Sequence, residues 1–122
     1  MLVGSYVLAV DDDPSALRLL KLQLSDRGFQ VTTATCSEEA LRIADERPPL
    51  VALLDVRMPG MNGIQLLRKL RERWRMPVIM LTAAPSRADE RTAMELGAEA
   101  YLVKPVHPDD LTHIIGEALR QA

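Results

Sequence analysis

The chain lacks the residues for a disulfide framework, a cysteine-built zinc site or a membrane span. It has one cysteine, Cys36, in 122 residues, which excludes an internal disulfide and favours a cytoplasmic protein. No apolar run approaches the ~18 residues of a membrane helix, and no basic segment followed by a long apolar one marks a signal peptide. The net charge of −2 gives no bulk attraction to nucleic acid or to a membrane.

The chain does contain enough apolar residues for one packed domain. Hydrophobic residues make up 48% of its 122 residues, a length typical of a single domain. No linker, internal repeat or low-complexity segment divides the sequence. We therefore expect one domain over residues 1–122, with no second domain after it.

Short apolar runs alternate with amphipathic segments along the chain. The runs have the length of strands and lie at 6–10, 29–33, 50–55, 77–82 and 100–103. Each is followed by a segment with helical spacing, beginning near Pro14, Ser37, Ile64, Ser86 and Pro108, and the third of these runs to about Trp74. Strict alternation predicts an α/β fold, a five-stranded parallel sheet with helices on both faces and right-handed crossovers.

The run Leu50–Asp55 is the clearest strand, and it ends in a carboxylate. Its apolar residues are typical of a strand buried on both faces, and the loop after it carries Pro59 and Gly60. A charge is costly to bury but cheap at the carboxyl end of a strand, where open parallel sheets also bind ligands. Asp55 is therefore a candidate functional group, although on this run alone an ordinary polar strand end fits equally well.

Polar residues also follow other strands of the predicted sheet. Asp11 and Asp12 come after the first strand, Thr82 ends the fourth, and Lys104 follows the fifth. Because the carboxyl ends of parallel strands meet at one edge of the sheet, we expect these side chains to lie beside Asp55.

The types of these residues favour phosphoryl transfer assisted by a hard cation. Crowded carboxylates repel one another unless a cation neutralises them, and oxygen ligands without His or Cys suit Mg²⁺. Lys104 suits one phosphate oxygen, and the Thr82 hydroxyl can donate to another. Asp55 is then the nucleophile that forms an acyl phosphate.

Five segments occur in an order and at spacings that are specific together, although each is weak alone. They are Val10–Asp13, Asp55–Gly63, Thr82–Ala83, Gly97–Ala98 and Tyr101–Pro105. With these segments the chain resembles, from end to end, a bacterial two-component response-regulator receiver domain of the chemotaxis-receiver type. The resemblance implies a flavodoxin-like (βα)5 doubly wound sheet with strand order 2-1-3-4-5. It also implies a phosphorylation-controlled signalling switch rather than a metabolic enzyme.

The resemblance implies a role for each residue at the sheet edge. Asp55 accepts a phosphoryl group from the phosphohistidine of a partner histidine kinase or phosphotransfer protein. Asp12 and Asp55 bind Mg²⁺ directly, and Asp11 binds it through water. The Arg57 backbone carbonyl completes the protein ligands, and Lys104 contacts the phosphoryl group.

The predicted switch runs from Thr82 to Tyr101. A phosphoryl group on Asp55 adds about two negative charges, and the Thr82 hydroxyl is the neutral donor best placed to swing toward it. The swing leaves space into which the Tyr101 ring can turn. The predicted readout is a contact on the face of the fourth helix, fifth strand and fifth helix, with an output protein or domain or in a phosphorylation-dependent homodimer.

Two positions give the predicted site its individual character, since in this family they flank the water that hydrolyses the phosphoryl group. Ala84 cannot orient that water, whereas Arg57 can shield the phosphate or pair with it. Pro85 is expected to stiffen the loop that moves on activation. The lifetime of the phosphoryl group therefore stays open.

Two other functions compete with the receiver interpretation. A small Mg²⁺-dependent aspartyl phosphohydrolase normally has a second acid near its nucleophile, where this chain has Arg57. An interaction module with a decayed site is disfavoured by the complete set of acids and by Lys104.

The remaining polar residues receive structural interpretations. A basic run on the third helix is interpreted as a solvated face, so no direct nucleic-acid binding is expected; it comprises Arg68, Lys69, Arg71, Arg73 and Arg75. The histidines His107 and His113 are expected at the surface, and Cys36 in a packed or capping position. Asp13 is expected to cap the first helix, and the resemblance implies a cis Lys104–Pro105 bond.

Overall fold

Strands and helices alternate along the residues that the structure, a computed structural model, describes, which are 6–121. The strands are β1 (Val7–Val10), β2 (Val31–Ala34), β3 (Val51–Asp55), β4 (Val78–Thr82) and β5 (Ala100–Val103). The helices are α1 (Pro14–Ser25), α2 (Ser37–Glu46), α3 (Gly63–Arg71), α4 (Arg87–Glu95) and α5 (Pro108–Gln121). The predicted alternation is confirmed.

The strands form one parallel sheet in the order β2-β1-β3-β4-β5. This is the flavodoxin-like order 2-1-3-4-5 that the resemblance implies. The register aligns the carboxyl ends of the central strands, because Val10 pairs with Leu54, and Asp55 pairs with Leu81. Residues that follow β1, β3, β4 and β5 are therefore delivered to a common edge.

Two hydrophobic cores lie on opposite faces of the sheet, as the alternation of side chains along a strand requires. On one face, Leu8 and Leu54 pack with buried residues of α2, α3 and α4. On the other face, Ala9 and Leu53 pack with buried residues of α1 and α5. Both faces of the central strands are thus buried, which explains why their sequences are continuous apolar runs.

Two element boundaries differ from the sequence prediction. The second strand begins at Val31 rather than at Phe29, because the Phe29 amide still donates to the Leu24 carbonyl in the turn that closes α1. The third helix ends at Arg71 rather than near Trp74. After Arg71 the Glu72 and Arg73 amides bond to carbonyls three residues back, a common way for a helix to end.

The helix ends show the chemistry that their sequences predict. The Asp13 carboxylate accepts a hydrogen bond from the Ser15 amide at 2.9 Å and so caps α1 as expected. Gly97 follows α4 with φ of 92°, a left-handed conformation that favours glycine after a helix.

Within residues 6–121, no helix combines the length and the apolar character needed to cross a lipid bilayer.

Candidate functional site

Three carboxylates meet at the carboxyl edge of the sheet. Asp11 and Asp12 follow β1, and Asp55 is the last residue of β3. One carboxylate oxygen from each lies within 4.8 Å of the others. Asp11 and Asp55 are buried, whereas Asp12 is exposed. The sequence-predicted acids are therefore brought together, in an all-oxygen arrangement that fits a hard divalent cation.

Lys104 reaches into the same cluster from the loop after β5. Its Nζ donates to Asp11 Oδ2 at 2.7 Å and lies 3.5 Å from Asp55 Oδ1. The Lys104 amide also donates to the Thr82 carbonyl at 2.8 Å, which ties the ends of β4 and β5 together. The Lys104–Pro105 peptide bond is cis, as expected. In this structure the ammonium group therefore pairs more closely with Asp11 than with Asp55.

The cluster changes the protonation equilibria of its buried members. Burial raises the pKa of Asp55 above its ordinary value of 3.8, and the charge of Asp11 raises it further, against the opposing charge of Lys104. Burial alone would lower the pKa of Lys104, but its hydrogen bond to Asp11 and the charges of Asp11 and Asp55 raise it overall. The edge thus holds more negative charge than its one lysine offsets.

Thr82 and Tyr101 lie on neighbouring strands and are both engaged by the loop before α4. The fully buried Thr82 accepts a hydrogen bond on Oγ1 from the Ala84 amide at 3.0 Å. The half-buried Tyr101 accepts one on its hydroxyl from the Ser86 amide at 3.3 Å. One short loop therefore contacts both residues of the predicted switch.

The Arg57 side chain pairs with helix α4. Its Nη2 lies 2.5 Å from Asp89 Oδ2, in an ion pair that joins residues 32 positions apart. Ala84 and Pro85 are exposed on the loop before α4. Sequence reasoning selected Arg57 but missed Asp89, whose only signal was an acid in the first turn of a helix.

The match to known proteins agrees with this geometry. The family profile described as "Response regulator receiver domain" matches residues 7–116. The chain belongs to this family. A receiver domain is a signalling switch of two-component systems rather than a true enzyme, which confirms the coarse function that the resemblance implies.

Several relatives and solved structures resemble this receiver domain over nearly all of its length. Transcriptional regulatory protein KdpE of Mycobacterium tuberculosis is 41% identical over 117 residues, 96% of this chain and 52% of that protein. The probable transcriptional regulator ycf27 of Cyanophora paradoxa is 43% identical over 115 residues, 94% of this chain and 48% of that protein. A CheY-like response regulator receiver domain protein from Methanospirillum hungatei superimposes with a TM-score of 0.91 at 35% identity, covering 96% of this chain and 94% of that one. The chain spans about half the length of these curated relatives.

Gly63 is a residue of the receiver site whose importance the sequence reasoning missed. A Cβ atom at Gly63 would lie 2.1 Å from the Asp55 carbonyl oxygen and 3.0 Å from the Val56 Cα. The Gly63 amide donates to the Val56 carbonyl at 3.0 Å, so α3 begins directly against the end of β3. The available signal is the glycine that ends the Asp55–Gly63 segment.

The basic run on α3 is a solvated face only in part. Arg68 and Lys69 are exposed, as predicted. Arg71 is half-buried and donates to the Met76 and Gly97 carbonyls, at 2.8 and 3.0 Å, so for this residue the interpretation was wrong. Arg73 pairs with Asp45 of α2.

The remaining structural expectations can be placed directly. His107 and His113 are exposed, as expected for surface residues. Cys36 is half-buried at the N-cap position of α2, without a side-chain hydrogen bond that caps the helix. These three residues therefore stay outside the acidic cluster.

Proposed function

We propose that this receiver domain accepts a phosphoryl group on Asp55 from the phosphohistidine of a histidine kinase or phosphotransfer protein and relays it as a conformational change. The observation that carries the proposal is the meeting of three carboxylates and Lys104 at one edge of the sheet. The membership of the chain in the receiver family supports the same function.

The transfer step makes one bond and breaks one. An Asp55 carboxylate oxygen attacks phosphorus, and the phosphorus–nitrogen bond to the donor imidazole breaks. The electron pair of that bond stays on the imidazole nitrogen, and Asp55 becomes an acyl phosphate. Lys104 serves this step because its ammonium, 3.5 Å from Asp55 Oδ1, is placed to contact a phosphoryl oxygen.

The proposed cation is Mg²⁺, which prefers few carboxylates and keeps waters and phosphate oxygens as its other ligands. Asp12, Asp55 and the Arg57 backbone carbonyl would hold it directly, and Asp11 would act through water. Its chemistry there is to neutralise negative charge on the carboxylates and on the transferred group. Burial and, after it, the charge of Asp11 raise the pKa of Asp55, and a cation would relieve the part that comes from repulsion between the carboxylates, which supports this assignment.

The catalysis of the domain is proposed to be limited to its own phosphorylation and dephosphorylation. No observation favours the phosphohydrolase alternative, because the residue two positions after Asp55 is Arg57, and its side chain is held by Asp89. The partner proposed to bind the face of α4, β5 and α5 is an output protein or domain, or a second phosphorylated copy of this chain. We also propose that residues 1–122 form one receiver domain and that this domain acts in the cytoplasm.

Phosphorylation by acetyl phosphate with Mg²⁺ tests the function directly. Intact mass should show one added phosphoryl group in the parent chain and none in Asp55→Asn. Omitting Mg²⁺, or replacing Asp12 by Ala, should reduce the labelled fraction strongly while the far-ultraviolet spectrum stays that of a folded protein. Labelling that persists in Asp55→Asn would contradict the assignment of Asp55 as the acceptor. Undiminished Mg²⁺ affinity in Asp12→Ala would contradict the assignment of Asp12 as a ligand.

A further inference from the structure

The ion pair between Arg57 and Asp89 connects the loop after β3 to the first turn of α4. The two side chains are 55% and 25% exposed, so the pair is only partly screened by solvent. Asp89 is fixed on its own helix, because its amide donates to the Ser86 Oγ that caps α4. Before phosphorylation, Arg57 therefore holds a defined partner on another element.

Arg57 is also close enough in the chain to serve a phosphoryl group on Asp55. Two residues span at most about 7 Å of backbone, and the arginine side chain is long and flexible. A planar guanidinium binds phosphate oxygens in a bidentate way and does so better than a lysine ammonium can. A phosphoryl group would bring about two negative charges, against the single charge of the Asp89 carboxylate.

We propose that Asp89 is a positioning residue that keeps Arg57 away from Asp55, and that Arg57 exchanges Asp89 for the phosphoryl oxygens when Asp55 is phosphorylated. This inference rests on the proposed function of Asp55. Asp89 acts through Arg57 and touches no reacting atom. The affinity of the site for a phosphoryl group is thus set partly by an acid on another helix.

The exchange gives phosphorylation a second connection to α4. Once Arg57 leaves, the first turn of α4 loses its tie to the loop after β3. That turn begins at Ser86, whose amide donates to the Tyr101 hydroxyl at 3.3 Å. The exchange therefore acts on the start of α4, directly after the loop that Thr82 contacts through the Ala84 amide.

A double-mutant cycle with beryllium trifluoride and Mg²⁺ tests the exchange. Asp89→Asn should tighten binding of the mimic by about two- to fivefold, the range expected when a partly exposed ion pair stops competing. Arg57→Gln should weaken binding and keep the backbone carbonyl. In the Arg57→Gln background, Asp89→Asn should have no further effect, because the competition no longer exists.

Two further variants separate this role from a general effect of charge on the helix. Glu90→Gln removes a neighbouring exposed acid from the same first turn of α4 and should leave the affinity unchanged. Asp89→Glu should restore the affinity of the parent, since it keeps a carboxylate for Arg57. Affinities are measured by the Ala84 amide signal in nuclear magnetic resonance, on variants with unchanged thermal midpoints.

The outcomes distinguish this inference from the function on which it rests. Equal tightening by Asp89→Asn with and without Arg57 would mean that Asp89 acts by its own charge, which overturns the exchange. No tightening in a folded Asp89→Asn also overturns it. If the parent chain neither binds the mimic nor is labelled by acetyl phosphate, the proposed function fails and the exchange fails with it.

Discussion

Asp55 carries its negative charge where the fold makes that charge costly. Its side chain is 11% exposed, and Asp11 and Asp12 offer carboxylate oxygens within 4.8 Å. Burial and the charge of Asp11 raise the pKa of Asp55, and it remains raised although the charge and hydrogen bond of Lys104 lower it. Such a charge indicates a functional role, because a neutral side chain at the same position would make the folded protein more stable.

The raised pKa of Asp55 predicts how stability changes with pH in the absence of Mg²⁺. The folded protein holds the Asp55 proton more tightly than the unfolded chain does, so the contribution of this group to stability falls as pH rises from 3.8 through the raised folded-state pKa. Asp55→Asn lacks that loss. It should therefore have a higher thermal midpoint than the parent at neutral pH, and the advantage should disappear at acidic pH.

Thermal unfolding of both proteins across a pH series measures this difference. Glu95→Gln, which removes an exposed carboxylate from the end of α4, serves as the control for the loss of one negative charge. Addition of Mg²⁺ should stabilise the parent more than Asp55→Asn, because the variant lacks one proposed ligand. Identical midpoints of parent and Asp55→Asn at every pH would contradict the prediction.

At the scale of elements, the start of α3 is packed against the end of β3 through Gly63. Gly63→Ala places a methyl group 2.1 Å from the Asp55 carbonyl oxygen, and backbone cannot step aside as a side chain can. The variant should lose about 1–3 kcal/mol of unfolding free energy, as overpacking does, and its labelling by acetyl phosphate should fall because Asp55 is displaced.

Gly116→Ala on α5 is the matched control for that substitution. Its Cβ would meet only the Arg120 Nη1 at 3.8 Å, an ordinary contact, and alanine is the better helix former by about 1 kcal/mol. Gly116→Ala should therefore be as stable as the parent or more stable, with normal labelling. Urea unfolding compares the two variants, and equal stabilities would show that the close approach at Gly63 is relieved at no cost.

The end of α3 is joined to two other parts of the chain by Arg71. Its guanidinium donates to the Met76 carbonyl before β4 and to the Gly97 carbonyl after α4. Arg71→Ala should cost about 1–3 kcal/mol, since it leaves the Met76 carbonyl, whose bond is partly buried, without its donor and also removes the exposed bond to the Gly97 carbonyl. Lys69→Ala, on the exposed face of the same helix, should stay within about 0.5 kcal/mol of the parent. Urea unfolding at constant m-value measures both changes in unfolding free energy. Equal losses in Arg71→Ala and Lys69→Ala would mean that Arg71 acts as a residue of the solvated face.

At the scale of the whole molecule, the conformational change caused by phosphorylation of Asp55 should reach the face of α4, β5 and α5. The Thr82 hydroxyl now accepts from the Ala84 amide, and the Tyr101 hydroxyl from the Ser86 amide. If Thr82 turns to donate to the phosphoryl group, its hydrogen bond with the Ala84 amide should change. Beryllium trifluoride with Mg²⁺ should therefore shift the amide signals of Ala84, Ser86 and Tyr101 together.

Substitutions of Thr82 show whether the hydroxyl carries that change. Thr82→Ser keeps the hydroxyl and should preserve the coupled shifts, whereas Thr82→Ala should bind the mimic but leave the Tyr101 signal largely unmoved. Asp55→Asn should show none of the shifts. Changes limited to residues around Asp55 in the parent chain would contradict this route.

The order of elements and the residues of the acidic cluster are predictable from the sequence alone. Short apolar runs that end in Asp11, Asp55, Thr82 and Lys104 are a local pattern, and parallel strands bring their carboxyl ends to one edge. Because hydrophobic periodicity and residue spacing are properties of the sequence alone, these predictions do not depend on tertiary contacts. The sheet order came from the family resemblance, since alternation of strands and helices fits more than one order.

The side-chain contacts between different elements are visible only in the folded structure. Arg57 pairs with Asp89, Arg71 binds two distant carbonyls, and Gly63 lies against the Asp55 carbonyl. Each contact depends on where two packed elements approach and on the rotamer of a long side chain, and neither is a local property of sequence. The same reason explains the wrong interpretation of Arg71, which lies in a basic run typical of a solvated helix face but is half-buried and bonds to two distant carbonyls.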